Sequence, residues 1–378
     1  MTCTVVLFRD YLEDNRQSME VYPDGLGRAL RSSFPERYQV REYRPRLFRP
    51  LTSGVWQMRF ARYALYPWQA RRHQGHLNHI VDHGYGHLLY FLDPKRTVVT
   101  VHDLIPVVRW RNGISGLSPG RKPWLNLLSF NALRRAAHLF AVSDNTRHDL
   151  IRYCGCAPER ISVIYSGVDT IFRKYSVAEK LHARQALGLV EDAAYHVLIM
   201  GSQAYKNQLG ALRAINELRK MVQRPLRLLK TGLPNPEWTE GVRQLALEEV
   251  SKCLGLIPRE RLPDLYNSVD CLLFPSLYEG FGWPPLEAMA CGTPVVASNA
   301  ASLPEVIGDA GVMCAPQDYR GLAEALRTTL TNQNLRHSLI VRGLAWAKQF
   351  TWERTARQTL DVYEKVAQSS LEAGKVRS

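Results

Sequence analysis

Short apolar runs alternate with amphipathic stretches of helix length along most of the chain. Apolar runs bounded by glycine or polar turns suit strands buried on both faces of a parallel sheet, and a 3.6-residue periodicity between them suits crossover helices. The pattern predicts strands at 4–8, 97–102, 139–142, 162–164, 196–200, 226–229, 271–274 and 294–297. Each ends at a polar or glycine-containing turn, where open α/β sheets bind ligands. Ser143 or Asp144 caps a helix through Arg152, and Pro284 and Pro285 stand near the start of another through Met289, where a missing amide hydrogen costs little. Segment 168–190 is polar and lacks a clear strand, so a domain boundary is expected inside it. The predicted organisation is a first domain over 1–175, a second over 190–350, and an amphipathic helix over 351–368 returning to the first, with disorder over 369–378.

Length agrees: 378 residues and 43.1 kDa suit two domains. No apolar stretch reaches the roughly 20 residues of a membrane-spanning helix. The first apolar run breaks at Arg9 and Asp10, too early for a secretory signal peptide. Seven scattered cysteines, with a lone C-x-C at Cys154 and Cys156, predict reduced thiols and a cytoplasmic location rather than a zinc site.

The net charge is +14, of which +10 falls in residues 1–172 and +4 in the rest. Arg37, Arg41, Arg44, Arg46, Arg49, Arg59, Arg62, Arg71 and Arg72 alternate with Tyr43, Phe48, Trp56, Phe60, Tyr63, Tyr66 and Trp68. Such interleaving suits an anionic membrane surface. Nucleic acid fits the charge too, and a solvated basic face beside ordinary core aromatics is the third reading.

The chemistry is densest in PSLYEGFGWPPLEAMACGTPVVAS, residues 275–298. Gly280, Gly282, Pro284 and Pro285 force a loop between Glu279 and Glu287, so the first carboxylate sits at a strand exit and the second inside the next helix. Backbone amides at 280–283 would lie near a helix N-terminus, where donors and the helix dipole favour phosphate. An acid inside that helix suits ribose hydroxyls.

This segment resembles the E-x7-E signature of the retaining glycosyltransferases of family 4, which adopt the GT-B fold. The resemblance extends through GLIPRERLPDLYNSVDCLLFPSLYEGFG, SNAASLPEVIGDAGVMCAPQD, VHDLIP, VSDNTRHDLIR, VIYSGVD and FTWERTA, and is dense from about residue 80 to 365. It implies two doubly wound Rossmann-like α/β domains facing a central cleft. Glu287 then resembles the ribose-binding acid, and Glu279 the acid beside the donor sugar. Gly280, Phe281, Gly282 and Trp283 would lie near the sugar or diphosphate, together with Gly201. Lys206, in GSQAYKNQLGALRA, resembles the diphosphate lysine; a compact cation there neutralises a leaving phosphate without a metal. Relatives usually add an arginine a few residues earlier. Here Gly201, Ser202, Gln203, Ala204 and Tyr205 stand in its place, and Lys230 is the candidate substitute.

VVTVHDLIP sets His102 and Asp103 at a strand mouth. On burial alone such a histidine reads as structural; by the resemblance, His102 lines the cleft near the donor sugar. Asp82 and His83 resemble acceptor-side residues. Many relatives carry a glycine pair after the first strand; here DNRQSMEVYPDGLGRAL puts Gly25 and Gly27 in a helix, with residues 16–18 nearer the cleft. His73, His76, His79, His83 and His87 have spacings that suit a metal on one helix, but HIVDHGYGHLLYFL reads as strand, turn and helix start, so no metal site and no cofactor are expected. The implied activity is hexosyl transfer, with mannose and GDP-mannose favoured over a UDP-hexose. The implied acceptor is a glycan or lipid-linked saccharide at the inner membrane face, with no nucleic-acid partner.

Overall fold

In the computed structural model, residues 3–14, 17–33, 38–46, 55–189 and 193–375 are described. The chain divides into two units, one of Met1–Gly113, Pro119–Gly167 and Thr351–Ser378, the other of Ile114–Ser118 and Val168–Phe350.

The first unit is built on β1 (Cys3–Phe8), β2 (Tyr38–Tyr43), β3 (Leu77–Ile80), β4 (Thr97–Val101), β5 (His138–Ala141) and β6 (Ile161–Val163). They pair in parallel in the order β2-β1-β3-β4-β5-β6. β4 reads TVVTV with every residue buried, the branched composition a strand needs when both faces are covered. The order reverses between β1 and β3, so the crevice at this topological switch point lies outside the loops that follow those two strands. Helix Asp144–Cys154 starts where expected: Ser143 Oγ accepts from the Thr146 amide, and Gly155, at φ 62°, ends it.

The C-terminal helix Trp352–Lys375 belongs to this unit. A Cβ added at Gly25 would stand 2.1 Å from the Trp352 ring, so Gly25, inside helix Gln17–Ser33, serves close packing. Farther along, Tyr363 Oη lies 2.5 Å from His79 Nδ1, His79 Nε2 lies 2.7 Å from Thr100 Oγ1, and that hydroxyl donates to Tyr22 Oη at 3.1 Å. The helix runs to Lys375 where disorder was expected from 369, because Leu371, Glu372, Ala373 and Lys375 are good helix formers that extend an existing helix cheaply.

The second unit holds β7 (Tyr195–Ile199), β8 (Leu226–Lys230), β9 (Ser251–Cys253), β10 (Cys271–Phe274), β11 (Val295–Ser298) and β12 (Val312–Cys314). Its order is β12-β11-β10-β7-β8-β9, all parallel. Counted from β7 this is the 3-2-1-4-5-6 order of dinucleotide-binding sheets, with its switch point between β7 and β10. Leu212, Ile215, Leu228, Leu273, Leu322 and Leu326 pack its core. The strands absent from the sequence pattern include β2, β9 and β12, all at sheet edges. β2 is largely exposed, and neither β9 nor β12 has a fully buried residue, so no buried apolar run marks them in the sequence.

Candidate active site

At the switch point of the second unit, β7 leads into residues 200–207 and β10 into 275–282. Gly201 has φ 89°, and an added Cβ would lie 3.3 Å from both Cγ and Cε of Lys206. The glycine turns the chain and leaves room for that lysine to fold over it. Lys206 Nζ donates to Glu279 Oε1 at 2.7 Å, and the two side chains are 13% and 10% exposed. An ammonium carries three donors, of which this bond uses one. The ammonium also stands 4.7 Å from the Phe274 ring centroid.

Asn207 ties the two loops. Its Nδ2 donates to the Pro275 carbonyl at 3.0 Å and to the Pro316 carbonyl at 2.8 Å, while Oδ1 accepts from the Gly210 amide at the start of helix Gln208–Met221. The Leu277 amide donates to the Tyr205 carbonyl at 2.7 Å. On the other side, Ser302 Oγ lies 3.0 Å from the Glu279 carbonyl and 2.7 Å from that of Phe281. Residues 271–282 are buried without interruption, and Gly280, Phe281 and Trp283 each have partners within the protein. Phe281 meets Trp283 edge-on at 6.0 Å. Gly282, at φ 111° with Leu303 Cδ2 2.9 Å from where a Cβ would be, admits only glycine before helix Trp283–Ala290.

Glu287 lies inside that helix and is 3% exposed. Tyr266 Oη donates to Oε2 at 2.9 Å and Arg259 Nη1 to Oε1 at 3.1 Å. Burial pushes its carboxyl above the ordinary range, partly offset by Arg259 and the Tyr266 hydroxyl. Two carboxylate oxygens offer about four lone-pair sites, so two bonds leave acceptor capacity for a diol. Arg259 and Tyr266 stand 28 and 21 residues from Glu287, and no local pattern connects them.

Lys230 goes elsewhere. Its side chain is fully buried, and Nζ donates among Ser202 Oγ and the carbonyls of Thr231, Gly232 and Leu233, at 3.0–3.3 Å. Burial lowers its pKa. It fastens the turn at 201–202 to the loop 231–233.

In the first unit Asp82 and His83 follow β3, and His102 and Asp103 follow β4. The His102 amide donates to His83 Nδ1 at 3.2 Å, and His102 Nε2 lies 2.8 Å from the Val81 carbonyl. That contact assigns the proton to Nε2 and leaves Nδ1 as the accepting nitrogen. Burial lowers the His102 pKa, so the ring is neutral at neutral pH. Tyr22 packs edge-on against it at 4.9 Å. Asp82, 1% exposed, accepts from the Gly84 amide at 2.8 Å and lies 3.3 Å from His83 Nδ1. Since Nδ1 already accepts the His102 amide, this last contact becomes an ion pair only when His83 is protonated. Asp82, His83 and His102 therefore converge; Asp103 caps the Ile105 amide at 3.0 Å and is half-buried.

The remaining histidines are dispersed. His73 stacks on Tyr43, His76 accepts from the Thr4 amide, and His87 sits between Ser129 and the Arg62 carbonyl. Among the described residues no group of three or more His, Cys, Asp or Glu is placed to hold a metal ion. Gly25 and Gly27 lie within helix Gln17–Ser33; Arg16, Arg37, Phe48 and Arg49 lie outside the described residues, as do the side chains of 17 and 18. No helix among the described residues is long and apolar enough to cross a membrane.

Two doubly wound units, the second carrying a Lys–Glu pair at the switch point of a dinucleotide-type sheet, define the GT-B class of glycosyltransferase. The chain belongs to the family 4 and group 1 glycosyltransferases: Glycosyltransferase Family 4 matches residues 8–172 and Glycosyl transferases group 1 matches 180–346. It is 34% identical to O-antigen chain mannosyltransferase B of Escherichia coli, over 62% of this chain and 62% of that protein. It is 31% identical to the serotype-specific mannosyltransferase WbdA of Escherichia coli, over 75% of this chain and 36% of that one. The match thus spans less than two thirds of either relative. Among solved structures, sucrose-phosphate synthase from Thermosynechococcus elongatus has the same fold, with a TM-score of 0.75 at 20% identity over 97% of this chain and all of that one. Anabaena HepE, in complex with UDP and glucose, gives 0.73 at 19% identity over 96% of this chain and 100% of that one.

Proposed function

We propose that the chain is a metal-independent, retaining hexosyltransferase of the cytoplasm, moving mannose from GDP-mannose to a glycan or lipid-linked saccharide in cell-envelope glycan assembly. The Lys206–Glu279 pair carries this reading. Lys206 turns its remaining donors to the diphosphate, while Glu279 stays beside the donor sugar and offsets positive charge at the anomeric carbon. Glu287, held by Arg259 and Tyr266, accepts from the ribose hydroxyls. Gly201 and the 280–283 turn approach the diphosphate and sugar. Lys230 acts through the loop it fastens. In the first unit, His102 Nδ1 accepts from a sugar hydroxyl, and Asp82 and His83 meet the acceptor.

The acceptor hydroxyl attacks the anomeric carbon on the face the diphosphate leaves. The new C–O bond forms as the old one breaks, and a leaving phosphate oxygen takes the acceptor's proton. No dedicated base is required, so the protein's share is positioning and charge stabilisation. The mannosyltransferase relatives support mannose. The UDP complex of the structural neighbour favours a UDP-hexose as the second reading.

The test is thermal stabilisation by GDP, UDP and ADP without added metal, with Glu287→Ala alongside. A nucleotide at a hundred times its Kd stabilises by about 2.7 kcal/mol. A GDP preference lost in the variant is expected. A UDP preference keeps the transferase and replaces mannose, whereas no response to any nucleotide removes the donor site.

A further inference from the structure

The arginine- and aromatic-rich run divides in two. At β2 the run meets acids: Arg44 pairs with Glu20, beside a network in which Arg31 pairs with Glu42 and Arg9 with Glu20, Asp24 and Glu42, while Arg41 is exposed and donates to Gln39. At its other end Arg62 pairs with Asp14, but large aromatic side chains stand exposed. In 55–70, Trp56 is 78% exposed and Phe60 56%, one helical turn apart on one side, while Tyr66, Pro67 and Ala70 are buried on the other.

A second exposed face adjoins it. In helix Trp124–Ala132, Trp124 is 71% exposed, Leu125 41% and Leu128 44%, while Ser129, Phe130 and Ala132 are buried. Tyr63 Oη donates to the Leu125 carbonyl at 3.3 Å and joins the two faces. Cations sit on the exposed rings: Arg59 lies 5.0 Å from the Trp56 centroid, Lys122 3.7 Å from that of Trp124, and Arg72 3.9 Å from that of Trp68. Neither 55–81 nor 119–143 contains a single Asp or Glu.

We infer that these two faces dock the first unit on an anionic bilayer. Exposed indoles that each carry a cation, on segments without a single acidic residue, match a headgroup layer, where rings settle at the apolar boundary and the cations meet phosphates. Charge complementarity selects lipid over a second copy of this chain, whose matching face would be equally basic. The surface serves the glycan-assembly reading above, since a lipid-linked acceptor would be presented there, but its binding to lipid does not depend on the donor site.

The experiment is flotation of the full chain with phosphatidylcholine vesicles, with and without phosphatidylglycerol, at low and high salt. Wild type binds the charged vesicles and is released by salt. The double variant Trp56→Ala, Trp124→Ala loses at least about tenfold in partitioning, with its thermal midpoint unchanged because both rings are exposed. Arg44→Ala, within the internal ion network, binds as wild type does. Equal binding by the double variant, indifference to lipid charge, no binding by wild type, or a loss in Arg44→Ala as large as in the double variant would each overturn the proposal. So would a solution dimer that the double variant abolishes, which would assign the faces to a second copy. Nucleotide-induced stabilisation of the same variants reports separately on the donor site, so a failed transferase reading and a failed docking surface give different results.

Discussion

Lys206 and Glu279 illustrate what one buried ion pair does for a site. Each is nearly out of solvent, so removing one partner strands the other's charge or bonding capacity. Lys206→Met is expected to cost about 3 kcal/mol in urea unfolding, the range for breaking a buried pair. Combining it with Glu279→Gln restores most of that, since no uncompensated charge remains. Transfer does not return: each single variant loses about 10²–10³-fold, as when one charge-stabilising donor is removed, and the double variant stays inactive. A double variant as unstable as Lys206→Met would show that the cost lies in packing rather than charge.

At the scale of elements, Asn207 ties the donor loops to each other. Its backbone is left-handed, at φ 54° and ψ 51°, a conformation asparagine tolerates and alanine resists. Asn207→Gly keeps the turn and loses the three side-chain bonds that join 207 to 210, 275 and 316. Asn207→Ala loses the bonds and strains the turn as well. Denaturation midpoints should place alanine below glycine by about 1 kcal/mol, and both should reduce nucleotide-induced stabilisation, because Lys206 is the preceding residue. Equal midpoints would mean the turn is not what holds this loop.

Over the whole molecule, the first unit buries neutral imidazoles. Burial pushes His79 down to about 3, and His87 and His138 to about 4. An unfolded histidine titrates near 6.5. Below that pH the unfolded chain takes up protons that the folded one refuses, so stability present above about pH 6.5 is lost progressively towards pH 4. Urea midpoints across this range should fall, and His87→Gln, which keeps hydrogen-bonding capacity without a titrating ring, should blunt the fall. A flat profile would contradict the neutral burial of these rings.

Much of this was legible along the chain. The buried strands, the Ser143 cap, the proline-led helix at 283–290 and the Glu279–Glu287 loop are local matters, decided by apolar runs, caps, and where glycine and proline allow the backbone to turn. The edge strands β2, β9 and β12 were not, because none of them carries a buried apolar run of its own. Strand order was not legible either, and it is strand order that sets β7 beside β10 and brings Lys206 to Glu279 across 73 residues. The same distance effect hid Arg259 and Tyr266 from Glu287, brought Ser202 to Lys230, and paired Arg44 with Glu20 while leaving Trp56 and Phe60 exposed. Which residues turn, cap and bury is set locally along the chain, since those choices are made within a few positions. Which charges meet depends on the folded arrangement, because a charge finds its partner through space and packing chooses who stands there.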